Sequence, residues 1–272
     1  MRQVLSSQEQ QQIKRIVVEA GEKIVARTKH LVLGQKNANQ GSSVVTQTDI
    51  DTENFLREQL GKYFPRVGFY SEETFKTSQN ELEKELVWIV DPIDGTLNFS
   101  RGIEIFGVSV ALFYQQKPVF GVNYFPKLQQ LFWAAKGEGT FVNKTHIRVR
   151  QPKPNDSLFG ACGVGGITPQ QHKKYIDILY HLKFDDACMY STIYHYAYTA
   201  AGHYDFALSI KPALWDIATG WILTEEAGGV FKTLYIDEKR KQANNPYHLW
   251  CIGGSKGVVD IITPEIMKLT KL

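Results

Sequence analysis

The stretch "WIVDPIDGTLNFSRG", Trp88 to Gly102, carries an apolar run straight into two aspartates, Asp91 and Asp94, which flank Pro92 and are followed at once by Gly-Thr. Asp, Pro and Gly are also the usual residues of turns, each for its own backbone reason. The stretch by itself therefore leaves two interpretations open: a turn after a buried strand, or a pair of carboxylates placed for chemistry.

The composition predicts a globular protein with a large core. The 272 residues are 43% apolar and 22% charged, and a chain of this length is expected to form one elongated domain or two closely packed halves. The net charge is +3, and Lys and Arg are scattered along the chain, so no nucleic-acid-binding surface is expected.

Cysteine usage and the N-terminus indicate the compartment. Cys162, Cys188 and Cys251 are odd in number and far apart in sequence, which favours neither a disulfide framework nor a zinc site and predicts a reducing cytoplasm. The N-terminus "MRQVLSSQEQQQ" lacks an apolar signal segment, and no stretch approaches ~18 uncharged apolar residues. We therefore expect a soluble, cytoplasmic protein with no membrane segment.

The first half of the chain predicts two helices followed by a sheet. Ser6 and Glu9 can form a capping box for an amphipathic helix that runs to about Thr28. Residues 34–43 are polar and predict a loop, after which Asp49 can cap a second helix that ends near Pro65, with Ile50, Leu56 and Leu60 on its apolar side. Short β-type runs joined by hairpin-length turns then predict a mainly antiparallel sheet.

A break in the pattern divides the chain. The stretch "VRQPKPND", Val149 to Asp156, contains two prolines and polar residues, so we place a subdomain boundary there. Residues 1–148 are expected to form an α+β subdomain that carries the acidic motifs, and residues 149–272 an α/β subdomain that completes the site. In the second half, "LFGACGVG", "HYDFALSI" and "HLWCIGG" read as strands between helical segments.

Acidic residues stand at the ends of several predicted elements. Glu72 and Glu73 end one strand, Asp91 and Asp94 end another, and Asp216 in "LWDIATG" begins a helix. Such positions are where a rigid scaffold presents chemistry. Convergence of these acids in a cleft would require cations to offset their repulsion, and Mg²⁺ is the natural choice because it prefers oxygen ligands and retains water and phosphate oxygens.

Five segments together resemble the inositol monophosphatase family of Mg²⁺-dependent, lithium-sensitive phosphatases, in the same order and at similar separations. They are "VTQTDID", "SEET", "WIVDPIDGTLNF", "GEGTFVN" and "LWDIATGWILTEEAGG". The resemblance spans essentially the whole chain. It implies an α/β (α+β) fold, the layered α/β/α/β/α sugar-phosphatase sandwich, usually a homodimer. The implied activity is a phosphomonoesterase acting on a small phosphorylated metabolite.

The resemblance also implies a ligand set for Mg²⁺. Glu72, Asp91 and the backbone carbonyl of Ile93 would hold one ion; Asp91, Asp94 and Asp216 would hold a second, with Asp91 bridging the two. Two such ions clamp an in-line displacement. Lys36 resembles a lysine of the family's mobile loop, where a third ion is conceivable, although the loop is longer here and a solvated surface lysine is an equal alternative. Asp216 can also act as a helix cap.

Gly95 and Thr96 are expected to form a phosphate cradle, since glycine lets the backbone approach a phosphate and the amides that begin a helical turn favour an anion. By resemblance, Thr96 would pair with Asp49 and, with help from Glu72, orient and deprotonate the attacking water. A plain helix cap is the alternative role of Asp49. Asp94 and Asp216 would also contact the substrate.

Substrate choice is left open by the sequence. Ser209 in "LSIKPALWD" stands where inositol-specific relatives carry an acidic residue, with Lys211 beside it, so we expect it to contact the substrate, unless it merely ends a strand. A hydroxyl in that place predicts broad specificity, with inositol 1-phosphate hydrolysed but poorly discriminated. Histidinol phosphate, a 3′-phosphoadenosine nucleotide and fructose 1,6-bisphosphate are alternative substrates on the same fold. A non-catalytic regulator or scaffold is an alternative of another class.

Overall fold

A computed structural model describes residues 4–28, 47–153, 156–163, 169–182, 184–235 and 249–269. Lys36 and its predicted loop lie outside the described residues. Within them the helices are α1 (Ser7–Thr28), α2 (Gln47–Tyr63), α3 (Thr96–Ser100), α4 (Pro169–Leu182), α5 (Thr192–Ala200), α6 (Leu214–Glu226) and α7 (Lys256–Leu269), with a 3-10 helix at Gln79–Glu83. The strands are β1 (Gly68–Ser71), β2 (Leu86–Asp94), β3 (Gly107–Tyr114), β4 (Lys117–Phe125), β5 (Gln130–Ala135), β6 (Gly139–Val142), β7 (Thr145–Ile147), β8 (Leu158–Gly163), β9 (Phe184–Ala187), β10 (Phe206–Ile210), β11 (Val230–Tyr235) and β12 (Leu249–Gly254).

The predicted helix signals at the start of the chain are largely confirmed. The backbone N–H of Ser6 donates to the Glu9 carboxylate at 2.7 Å, and the N–H of Glu9 donates to Ser6 Oγ at 3.3 Å, which is the capping box of α1. Helix α2 is described from Gln47, so Asp49 lies inside its first turn. The residues that precede Gln47 lie outside the described part of the chain, and the capping role of Asp49 stays a prediction. Ile50 is 40% exposed and does not belong to the apolar side of α2.

The first sheet has seven strands in chain order, β1 to β7. Strands β1 and β2 are parallel, and each later neighbour is antiparallel, which confirms the prediction of a mainly antiparallel sheet. Helices α1 and α2 pack on one face of this sheet. Their apolar side chains, Ile13, Val17, Ile24, Leu56 and Leu60 among them, are fully buried in a shared core with strand residues.

The second sheet has the order β11-β12-β10-β8-β9. Strand β8 is parallel to both β9 and β10, whereas β12 is antiparallel to β10 and to β11. This mixed sheet with helical connections confirms the α/β character expected of the second half.

Five layers result from the way the helices cover the sheets. Helix α6 packs on the face of the first sheet opposite α1 and α2, and it contacts β11 and β12 of the second sheet. Helix α5 lies beside α6 and contacts β8, β10 and β12, while α4 and α7 cover the outer face of the second sheet. The α/β/α/β/α sandwich is confirmed. None of the helices within the described residues combines the length and apolarity needed to span a membrane.

Candidate active site

The parallel pairing of β1 and β2 brings two of the predicted acids side by side. Ser71 lies opposite Val90 in register, and the backbone N–H of Glu72 donates to Val90 O at 3.3 Å. The carboxyl ends of parallel neighbours lie at the same edge of a sheet, so Glu72 and Asp91, the residues that follow this pair, emerge next to each other.

A β-bulge brings Asp94 to the same place as Asp91. Asp91 lies opposite Ser109 and Asp94 opposite Gly107 on β3, so β2 takes three steps where β3 takes two. Residues three apart in a regular strand point to opposite faces, and the one extra residue of a bulge allows both side chains to face one side. Pro92, which has no backbone N–H to donate, is tolerated in a strand at such an irregularity.

Asp216 joins the two strand aspartates from the middle helical layer. It lies in the first turn of α6, and its Oδ2 accepts a hydrogen bond from the N–H of Ala213 at 2.8 Å, so it also has the capping role that was its alternative. One carboxylate oxygen from each of Asp91, Asp94 and Asp216 lies within 4.8 Å of the other two. The structure thus places three of the predicted acids in one cluster.

Burial disfavours the charged form of every acid in this cluster and of the neighbouring Glu72, and repulsion between the carboxylates adds to the penalty at Glu72, Asp91 and Asp216. Burial, then the charges of Asp216, Glu73, Asp49 and Asp94, raise the pKa of Glu72 to about 8. Burial and the charge of Asp94 raise the pKa of Asp216 to about 7. Burial also raises the pKa of Asp94 to about 6, and the pKa of Asp91 lies well above its ordinary value. A cation in the cluster would remove this penalty.

The donor chemistry of the cluster fits a hard divalent ion. Asp91 is 1% exposed, and its Oδ1 has no hydrogen-bond partner among the described residues. A buried carboxylate oxygen without a donor is costly unless a cation faces it. Carboxylate oxygens and the nearby carbonyl of Ile93 are ligands that Mg²⁺ accepts.

Ser191 and the start of α5 hold Asp94, a role that the sequence analysis missed. Ser191 Oγ donates to Asp94 Oδ2, and the backbone N–H groups of Thr192 and Ile193 each donate to the Asp94 carboxylate at 3.2 Å. Ser191 is also the N-cap of α5, accepting from the N–H of Tyr194. A serine before a helical pattern is a recognisable cap, but its partner lies 97 residues away and cannot be found from local sequence.

Gly95 joins β2 to α3, and Thr96 is the first residue of α3. Gly95 has φ +85°, and a Cβ at this position would lie 2.8 Å from the carbonyl oxygen of Ile105, so both conformation and space require glycine. The Thr96 hydroxyl donates to Ile93 O at 2.9 Å. Asp49 is buried, and its charge raises the pKa of Glu72 and Asp91, which puts it on the cluster side of α2. The pairing of Thr96 with Asp49 stays a prediction.

Ser209 lies within β10, one residue before the last of the strand, opposite Cys251 on β12. It is only 3% exposed. The hydroxyl of Tyr196 donates to Cys251 O at 3.0 Å, and the charge of Asp216 contributes to the raised pKa of both Tyr196 and Cys251. Ser209 therefore belongs to a buried region that borders Asp216. Its contact with substrate stays a prediction.

Comparisons with known proteins agree with this fold. The inositol-1-monophosphatase of Rhizobium meliloti is 37% identical over 189 residues, covering 68% of this chain and 70% of the relative. A protein of Thermotoga maritima named fructose-1,6-bisphosphatase/inositol-1-monophosphatase is 31% identical over 201 residues, covering 74% of each chain. The crystal structure of the extragenic suppressor protein suhB of Bartonella henselae superposes with a TM-score of 0.74 at 27% identity, over 94% of this chain and 96% of that one.

The layered sandwich, together with an acidic cluster between its strand ends and its middle helix, defines a metal-dependent phosphoric monoester hydrolase. The sequence profile of the inositol monophosphatase family matches residues 5–247. The chain belongs to the inositol monophosphatase family.

Proposed function

We propose that this protein is a Mg²⁺-dependent phosphomonoesterase of broad specificity, which hydrolyses inositol 1-phosphate among other small phosphorylated polyols and sugars. The observation that carries the proposal is the cluster of Asp91, Asp94 and Asp216, whose carboxylate oxygens lie within 4.8 Å of one another, with Asp91 and Asp94 buried and Asp216 half-buried. Burial and the nearby like charges both disfavour the ionised form of these carboxyl groups, so a bound cation is needed to keep them all ionised at neutral pH.

The ligands would divide between two ions. Glu72, Asp91 and the Ile93 carbonyl would hold the first Mg²⁺, and Asp91, Asp94 and Asp216 the second, so that Asp91 serves both. When bound, such a pair supplies the positive charge that activates water and stabilises the leaving oxygen of a phosphate ester. Ser191 and the first amides of α5 keep Asp94 in place by donating to its carboxylate.

Thr96 would orient the attacking water. Its hydroxyl has a single proton, donated to Ile93 O in the structure, so the lone pairs of Oγ1 can accept a hydrogen bond from water. If the Ile93 carbonyl is taken by the ion, the same proton can turn to Asp49, which is the pairing expected from the family. By the family resemblance, Asp49 and Thr96 would take up the proton of the water with help from Glu72, whose carboxylate lies within electrostatic reach of Asp49 and Asp216.

Hydrolysis also requires groups that bind the phosphate and groups that bind the leaving alcohol. The turn at Gly95 and Thr96 offers backbone amides without a Cβ in the way, which suits the phosphate. Water forms the new bond to phosphorus as the ester oxygen leaves with the electron pair of the broken bond. That oxygen finally takes up a proton from solvent. Asp94 and Asp216 would contact hydroxyls of the leaving alcohol.

Broad specificity is supported by the neutral side chain of Ser209. A serine hydroxyl cannot form the charge-assisted hydrogen bonds that a carboxylate would offer to the ring hydroxyls of inositol. Names of relatives point the same way, because those of Thermotoga maritima and Aquifex aeolicus are both called fructose-1,6-bisphosphatase/inositol-1-monophosphatase. Fructose 1,6-bisphosphate is therefore the second substrate to test, with the positive charge of Lys211 as a candidate partner for its other phosphate.

Phosphate release over a panel of esters tests the proposal. The panel contains inositol 1-phosphate, fructose 1,6-bisphosphate, histidinol phosphate and a 3′-phosphoadenosine nucleotide, each with Mg²⁺ and with a chelator. We expect Mg²⁺-dependent release from inositol 1-phosphate and from at least one other ester at equal or higher kcat/KM. Selectivity for inositol phosphate of about a hundredfold or more, some 2.7 kcal/mol, would refute broad specificity. Binding of Mg²⁺ without hydrolysis of any ester would favour a non-catalytic regulator.

We also propose a cytoplasmic homodimer. The homodimer is expected from the family resemblance, and light scattering after gel filtration measures it. Cys162, Cys188 and Cys251 are all free thiols in the structure, which supports a reducing compartment.

A further inference from the structure

Glu53 is a buried acid that neither the family motifs nor the proposed mechanism uses. It lies one helical turn after Asp49 on α2 and is 2% exposed, on the side of the helix that also buries Leu56 and Leu60. An apolar residue would fill this position without the desolvation penalty of a carboxylate. The chain keeps an acid here, and its hydrogen bonds show what the acid does.

Each oxygen of Glu53 accepts two hydrogen bonds. Oε1 accepts from Arg57 Nη2 at 2.8 Å and from the Thr74 hydroxyl at 2.9 Å. Oε2 accepts from the Ser71 hydroxyl at 2.5 Å and from the backbone N–H of Glu73 at 3.1 Å. Arg57 is 40% exposed and offsets the negative charge, so Glu53 is satisfied without a metal ion.

The two donors on Oε2 belong to the residues on either side of Glu72. Ser71 ends β1, and Glu73 opens the turn that follows, so one oxygen of Glu53 fixes both chain neighbours of the predicted metal ligand. The N–H of Glu72 is itself donated to Val90 O of β2. The backbone of Glu72 is thereby fixed on both sides, and its carboxylate lies within electrostatic reach of Asp216 and Asp94.

We propose that Glu53 is a positioning residue of the metal site: by holding Ser71 and Glu73 it aims Glu72 at the acidic cluster and so sets the affinity for Mg²⁺. The inference rests on the proposed function in that it takes Glu72 as a metal ligand. Groups that orient a ligand in this way typically contribute 10–100-fold to metal affinity or activity.

Glu53→Gln is the direct test, because it keeps the shape of the side chain while it changes the hydrogen bonding and removes the charge paired with Arg57; Ser71→Ala, below, changes the hydrogen bonding alone. A glutamine has one carbonyl oxygen and one NH₂ group, so in either orientation the NH₂ group faces two donors that have lost their acceptor. Glu58→Gln is the matched control. It makes the same substitution five residues later on α2, where Glu58 forms an exposed ion pair with Lys62 at 2.7 Å.

Calorimetric titration of the metal-free proteins with Mg²⁺ measures the effect without any substrate. We expect Glu53→Gln to weaken Mg²⁺ binding roughly 10–100-fold and Glu58→Gln to leave it within about twofold of wild type. A Glu53→Gln protein that melts earlier but binds Mg²⁺ as wild type does would show a structural role alone and overturn the proposal.

Ser71→Ala decides the matter if Glu53→Gln does not fold. It removes a single donor to Oε2 and leaves the charge of Glu53 and the bond from Glu73 in place; we expect Mg²⁺ binding to weaken at least about threefold. Unchanged binding would overturn the proposal. If Mg²⁺ binding weakens as expected while wild type hydrolyses no ester, the positioning role stands and the phosphatase assignment fails.

Discussion

Asp91→Asn is expected to stabilise the metal-free protein while abolishing its response to Mg²⁺. Asp91 is buried, its Oδ1 has no partner among the described residues, and its pKa is raised first by burial and then by Glu72, Asp94 and Asp216. Asparagine removes the charge, and its NH₂ group can donate to one of the neighbouring acids. The same change removes the one carboxylate that would serve both ions.

The magnitude follows from the neighbouring acids. For Asp94, the difference between an ordinary pKa of 3.8 and about 6 corresponds to about 3 kcal/mol of lost stability once the carboxylate is ionised. These penalties are shared between the acids and do not add. The pKa of Asp91 is raised in the same direction, by burial and by the neighbouring acids. With the Asp94 penalty as the scale, removal of the Asp91 charge should recover about 3 kcal/mol at alkaline pH, roughly 6–12 °C in Tm for a chain of this size.

The effect depends on pH with a definite sign. Carboxylates whose pKa is raised by folding leave stability intact below about pH 4 and reduce it as the pH rises through their folded pKa values, here about 6 for Asp94, 7 for Asp216 and 8 for Glu72. Metal-free wild type should therefore melt at a lower temperature near pH 8 than near pH 5. The variant should show a smaller decrease.

Differential scanning calorimetry near pH 5 and near pH 8, with a chelator and with Mg²⁺, measures all of these effects. Wild type should gain about 2.7 kcal/mol near pH 8 when Mg²⁺ reaches about a hundred times its Kd, whereas Asp91→Asn should gain nothing and should release no phosphate. A variant that is less stable than metal-free wild type near pH 8, or that keeps most of its kcat at saturating Mg²⁺, would refute the reasoning.

Three further substitutions test the roles of single residues. Thr96→Ala should lower kcat by about 10²–10⁴ while changing Mg²⁺ affinity far less, because the hydroxyl orients water and lies outside the carboxylate set; an unchanged kcat would remove Thr96 from the mechanism. Gly95→Ala should reduce both stability and activity, because Gly95 has φ +85° and the new Cβ would lie 2.8 Å from Ile105 O. Gly137→Ala is the control: Gly137 has φ +82°, but nothing lies within 4 Å of the added Cβ, so this variant should retain activity. Ser209→Glu should shift kcat/KM towards inositol 1-phosphate relative to fructose 1,6-bisphosphate, and no shift would exclude Ser209 from the substrate contacts.

Much of the layer order could be predicted because local signals and the family resemblance agree. The capping box and apolar spacing define α1, and alternating apolar runs with short turns define β3 to β6. In the second half, β8, β10 and β12 were predicted, whereas β9 and β11 were not. Both are edge strands, and β9, "FDDA", carries two aspartates, so a strand that pairs on only one side left no clear pattern in the sequence.

The acidic residues of the site could be predicted from their positions at the ends of helices and strands, but their arrangement in space could not. Asp91 and Asp94 share one cluster because of a bulge against β3, and Glu72 reaches it because β1 pairs in parallel with β2. Both are long-range pairings that no local pattern specifies. Glu53 was missed for a similar reason, although its spacing of four residues from Asp49 was a usable sign that two acids share one side of α2.

Hydrogen-bond donors separate the acids that support the site from those that would hold the ion. Glu53 has four donors, one of them the Arg57 guanidinium, and is complete without a metal. The carboxylate of Asp94 has three hydrogen-bond donors and a pKa of about 6. Asp216 has one donor, the N–H of Ala213, and a pKa of about 7. The Glu72 carboxylate has no donor among the described residues, and its pKa is about 8. Each missing donor leaves an oxygen that a proton, a cation or water must satisfy. The least satisfied acids are therefore those through which a change in pH should most affect the binding of Mg²⁺.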